Sequence, residues 1–105
     1  MPIVPSVFIR QGEVREALKR AEDALKPDVI RIRANLGSDW TDEPAIFFRV
    51  LLSDTASQPN NLQMVAQRAA TRIIDEVKAD DSGFHAYFNF RSESEQAKLN
   101  DPDWA

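Results

Sequence analysis

Between Leu62 and Val77, apolar residues at positions 62, 65, 66, 69, 70, 73, 74 and 77 trace one stripe of a helix through about four turns. On both sides of that helix the apolar period changes to two. Upstream, from about Ala45 to Ser53, the set Ile46, Phe48, Val50 and Leu52 alternates with Phe47, Arg49, Leu51 and Ser53. Downstream, Phe84, Ala86, Phe88 and Phe90 alternate with His85, Tyr87, Asn89 and Arg91. A helix joining two neighbouring strands makes them parallel and the crossover right-handed. This one constraint removes most of the topologies open to a short chain.

A further strand precedes the pair. Ile30, Ile32, Ala34 and Leu36 alternate with Arg31, Arg33 and Asn35, giving one apolar face and one basic face. The turn-rich segment from Gly37 to Pro44 links it to the next strand as an antiparallel neighbour. Before it, Val14, Leu18, Ala21 and Leu25 mark an amphipathic helix from about Gln11 to Lys26, ended near Pro27. The expected fold is a two-layer α/β sandwich of order α-β-β-α-β, in which a three-stranded mixed sheet carries two helices on one face.

The ends add less regular features. Residues 1–10 hold two prolines with Ile3, Val4, Val7, Phe8 and Ile9, an apolar arm suited to an extra edge strand. Ser92-Glu93-Ser94-Glu95 has capping-box spacing, so a short helix to about Leu99 is expected. The chain is read as one domain: an arm at 1–10, a core at 11–91 and an acidic tail at 92–105.

Length and composition suit a single core, with 105 residues, 43% hydrophobic and 29% charged. There is no cysteine, which excludes disulfides, thiolate metal sites and thiol nucleophiles and favours a cytoplasmic setting. No apolar run approaches the roughly 20 residues that span a bilayer, so no membrane role is expected. The net charge of −4 lies mostly in the tail, where Glu93, Glu95, Asp101 and Asp103 face only Lys98. The core is close to neutral, which argues against a partner held by general electrostatics alone.

With both helices covering the Ile30, Ile32, Phe48, Val50, Phe84 and Phe88 face, the opposite face presents Arg31, Arg33, Asn35, Phe47, Arg49, Leu51, His85, Tyr87, Asn89 and Arg91. Three readings of it compete. In the first it is a solvated surface whose arginines pair with the acidic tail or nearby loops. In the second it is a homodimer or protein-partner interface anchored by Phe47, Leu51 and Tyr87, since arginine and aromatic side chains dominate binding surfaces. In the third, single-stranded nucleic acid stacks on Phe47 and Tyr87 while arginines follow the phosphates. Scarce lysine and overall acidity count against the third.

Signals for chemistry are weak by comparison. His85 is the only histidine and has no orienting carboxylate in its sequence neighbourhood. Asp39, Asp42 and Glu43 lack the ligand spacing of a calcium loop, and Gly12, Gly37 and Gly83 are too scattered to cradle a phosphate. No catalytic residue, metal site or cofactor is assigned. Trp40 is expected to pack on the domain edge, and Trp104 either to do the same or to serve as a docking anchor on an acidic tail.

In element order, the layout from Val14 to Phe90 is similar to small ferredoxin-like modules, including the cytoplasmic dimerisation domain of cation-diffusion transporters. That resemblance implies association and regulation without enzymatic activity. With one histidine and no cysteine, the chain lacks that domain's metal ligands, so metal sensing is not implied. The run Asp39-Trp40-Thr41-Asp42-Glu43-Pro44-Ala45-Ile46-Phe47-Phe48 resembles a segment of small bacterial proteins from toxin–antitoxin or defence neighbourhoods, implying an accessory or regulatory role.

Overall fold

A computed structural model describes residues 11–77 and 84–104 of the chain. The expected edge strand at 1–10 lies outside these residues, as does the break from Asp80 to Gly83. The described elements follow in the order α1 (Gln11–Leu25), β1 (Val29–Ser38), β2 (Pro44–Leu52), α2 (Pro59–Val77), β3 (His85–Ser92) and α3 (Glu93–Leu99), with a 3-10 turn at Pro102–Trp104. β2 is central, antiparallel to β1 and parallel to β3. The fold is the expected two-layer α/β arrangement with a mixed sheet.

The register sets the two faces apart. On the covered side, Ile32, Val50 and Phe90 form one row across the strands, and Ala34, Phe48 and Phe88 form the next. Beneath them pack Ala17, Leu18, Ala21 and Leu25 of α1 and Val65, Ala69, Ile73 and Val77 of α2. Ala21 and Ala69 have no exposed surface, so small side chains sit where the helices bear on the core. In α2 the buried positions recur every four residues, while Ala66, Ala70 and Ile74 flank them half-buried and Leu62 is exposed. Arg20 of α1 and Arg72 of α2 both reach Glu76, at 2.9 and 3.1 Å, holding that carboxyl below its ordinary range mainly through the Arg20 hydrogen bond.

One expectation fails locally. A register shift between Val29 and Arg31 turns Val29, not Ile30, into the core, leaving Ile30 half-buried outside it. An extra residue at a bulge reverses the alternation upstream of it, which a strict period of two cannot register. From Arg31 onward the alternation holds.

The tail is built as its spacing suggests. Ser92 caps α3, its hydroxyl accepting from the Glu95 N–H at 3.1 Å while Glu95 Oε1 accepts from the Ser92 N–H at 3.3 Å. Asp54, in the loop after β2, accepts from the Ser94 hydroxyl at 2.7 Å and its N–H at 3.0 Å, tying the start of α3 to the domain. Asn100 then closes the helix in a left-handed conformation (φ 48°) and sends the chain back across the sheet. No described helix is long and apolar enough to cross a membrane.

Candidate interaction face

The side of the sheet away from α1 and α2 is ordered in rows by the same register. Arg31, Leu51 and Arg91 form the row nearest α3, Arg33, Arg49 and Asn89 the middle row, and Asn35, Phe47 and Tyr87 the row nearest the β1–β2 loop. His85 follows beyond Tyr87 and is exposed. The side chains singled out by alternation therefore do share one surface.

The returning tail covers the first row. Trp104 is only 6% exposed, with the Arg91 guanidinium 4.3 Å from its ring centroid. Arg91 also donates to Gln96 Oε1 at 2.8 Å and pairs with Asp101 at 3.5 Å. Arg31 donates to the Trp104 carbonyl at 3.3 Å, and Arg49 to the Asp103 carbonyl at 2.7 Å and to Asn35 Oδ1. Leu51, expected as an open anchor, is 6% exposed. For this half of the face the arginines serve the chain's own tail, and Trp104 is packed against the domain rather than extended from it.

The far half is open and differently built. Phe47 and Tyr87 stack with centroids 5.5 Å apart, and Trp40 leans on Tyr87 at 5.3 Å with its plane tilted by 59°. Phe47 lies along Gly37, where an added Cβ would come within 3.3 Å of the ring, so the absence of a side chain at 37 lets the ring lie flat. Trp40 is 82% exposed, contrary to the expectation that it packs on the edge. Among the described residues its ring partner is Tyr87, and most of the indole faces solvent.

Asp39 fixes this arrangement. Its Oδ1 accepts from the Thr41 hydroxyl at 2.6 Å, the Thr41 N–H at 2.8 Å and the Glu43 N–H at 3.1 Å, and its Oδ2 accepts from the Tyr87 hydroxyl at 2.8 Å. Backbone bonds from the Asp39 N–H to the Glu43 carbonyl and from the Asp42 N–H to the Asp39 carbonyl, both 3.0 Å, close the loop, with Asp42 in a left-handed conformation at φ 65°. These donors, the Thr41 hydroxyl first, hold the Asp39 carboxyl far below the ordinary range, while the bond to Asp39 and burial push the Tyr87 phenol up. Asp39, read from sequence only as a loop carboxylate, is the pin that orients Tyr87 beneath Trp40. The Asp-x-Thr spacing signals the turn; the tie to Tyr87 spans 48 residues and leaves no local trace.

The lowered Asp39 pKa makes its contribution to stability depend on pH. A carboxyl whose folded-state pKa is lowered stabilises the fold fully above its unfolded value, about 3.9, and loses that contribution as pH falls through the folded value. Asp39→Asn is therefore expected to lower the unfolding temperature near neutral pH. The gap from wild type should narrow as pH falls below about 4, where the wild-type carboxyl begins to lose its advantage. Thermal unfolding across pH 2.5–7 checks this; a gap independent of pH would separate Asp39's role from its charge.

A scan against protein-family models finds no match, and a search of curated proteins finds none either.

Proposed function

We propose that this chain is a non-enzymatic interaction module that self-associates, or binds a protein partner, through the open half of its sheet face. Trp40 is the central anchor, Phe47 and Tyr87 are the platform under it, and Arg33, Asn35, Arg49, His85 and Asn89 form the polar surround. The observation that carries this is the pairing of 82% exposure at Trp40 with a loop held by four hydrogen bonds to one carboxylate. An anchor that is already oriented loses little conformational entropy on docking, which is the condition under which an aromatic side chain contributes most to affinity. The cysteine-free sequence supports a cytoplasmic setting for that association.

A second reading draws on the same three rings. Their row beside Arg33 and Arg49 also suits single-stranded nucleic acid, with bases on the rings and phosphates near the guanidiniums once Arg49 gives up the Asp103 carbonyl and the Asn35 side chain it holds here. Salt separates the two: nucleic-acid affinity falls steeply with ionic strength, whereas an aromatic protein interface changes little.

The direct test is solution mass by light scattering over a concentration series for wild type and Phe47→Glu, with circular dichroism to confirm folding. A wild-type dimer that becomes monomeric in a folded variant supports self-association on this face. Dimers in both would place the interface elsewhere. A monomer in both, together with salt-sensitive binding of an oligonucleotide, would favour the second reading.

A further inference from the structure

The core is less fully covered where α1 begins than where it ends. Val14 of α1 and Ala34 and Leu36 of β1 pack against the core yet stay half-buried, whereas Leu25 and Val29, at the other end of the same two elements, are closed off. Beside the half-buried residues α1 and β1 enclose a groove of about 770 Å³, which Leu18, Ile32 and Ile46 also line. That volume lies in the range of small-molecule sites, about 300–1,000 Å³. Glu22 ties the two elements together, its Oε2 accepting from the Ile32 N–H at 2.9 Å. From Ile32 to Leu36 the strand side of the groove runs about 13 Å.

Arg15 and Lys19 stand at the same groove and are exposed. They are one helical turn apart, at i and i+4, so a single anion can meet both. Like charges at this spacing work against the helix, and neither pairs with a carboxylate among the described residues. Arg33 also borders the groove but donates to the Ile32 carbonyl at 3.4 Å, so the charge argument rests on the α1 pair alone. Two adjacent cations beside an apolar groove suit a molecule with one anionic end and an aliphatic body. A purely polar anion would leave the apolar lining unused, and a neutral hydrocarbon would leave the two cations as they are.

We propose that this groove binds an aliphatic monocarboxylate, its carboxylate between Arg15 and Lys19 and its methylenes along Val14, Ala34 and Leu36. The charged end stays at the rim, where water still reaches it, and the aliphatic chain is removed from water. The site is on the helix side of the sheet, away from Trp40, and does not depend on the association proposed for the other face.

The probes are decanoate, which when extended is about as long as the groove, together with butanoate and decylammonium. Each is titrated into the isotope-labelled full chain below the concentration at which decanoate forms micelles. The Leu18 and Leu36 amide signals should shift saturably with decanoate, and affinity should rise about threefold for each methylene between butanoate and decanoate. Decylammonium, with the same chain and the opposite charge, should bind at least about tenfold more weakly. The double variant Arg15→Gln/Lys19→Gln, altered only at exposed positions, should keep the folded spectrum, weaken decanoate about tenfold and leave decylammonium no weaker than before. Loss of the preference for decanoate in that variant would support the proposal even if its fold were slightly less stable. Any of four outcomes would overturn it: no saturable binding by the full chain, affinity independent of chain length, equal binding of decanoate and decylammonium to wild type, or shifts confined to the Trp40 face.

Discussion

Trp104→Ala is expected to lower the stability of the fold by about 3 kcal/mol, at the lower end of the range for truncating a buried tryptophan. The ring is 6% exposed and carries the Arg91 guanidinium at 4.3 Å, while its own carbonyl receives Arg31. Removing it takes away the ring under the Arg91 guanidinium and loosens the return of the chain after Asn100. For a domain whose total stability is about 5–15 kcal/mol, that is a large fraction. Urea unfolding should show the midpoint moving to lower concentration. A loss below about 0.5 kcal/mol, the scale of an ordinary surface substitution, would mean that the tail does not hold this half of the face.

Trp40→Glu should have the opposite profile. Because the indole is 82% exposed and its main neighbour is Tyr87, the cost to folding is that of one aromatic pair, about 1 kcal/mol. The cost to association should be at least about 2 kcal/mol, the scale of an interface anchor, or roughly thirtyfold in dissociation constant. Phe47→Glu is the harsher change, since Phe47 is half-buried along Gly37 and stacked on Tyr87, so both folding and association should suffer. The contrast between the two tryptophans is the useful one. One supports the fold, and the other stands exposed as the anchor proposed for a partner. Sedimentation of Trp40→Glu checks this, and unchanged association in a folded variant would remove Trp40 from the interface.

The strands and helices were legible because their periods differ and because β1, β2 and β3 keep one apolar set each through most of their length. Alternation placed Phe47, Tyr87, Arg33 and Arg49 on one surface, and the register agrees. The bulge before Arg31 was invisible, since Val29 and Ile30 are both apolar and either could be the buried one. The capping box at Ser92 announced α3, but where the chain goes after Asn100 depends on contacts between Trp104 and Arg91 or Arg31 that only the folded sheet creates. For the same reason Leu51 read as open. Trp40 was misjudged because large apolar side chains in loops usually find cover, whereas here the Asp39 network settles the loop without burying the indole. Sites made by distant residues meeting across a sheet leave little local pattern, and this face is one of them.

The chain contains two tryptophans, so Trp104→Phe leaves Trp40 as the sole indole reporter. The most direct measurement of the central claim is iodide quenching of that variant's fluorescence, in dilute solution and in its associated state. Trp40 should be freely quenched when dilute, and it should become protected, with emission shifted to the blue, on association with a second copy or a protein partner. An associated state in which Trp40 remains as open to iodide as in the monomer would contradict the account.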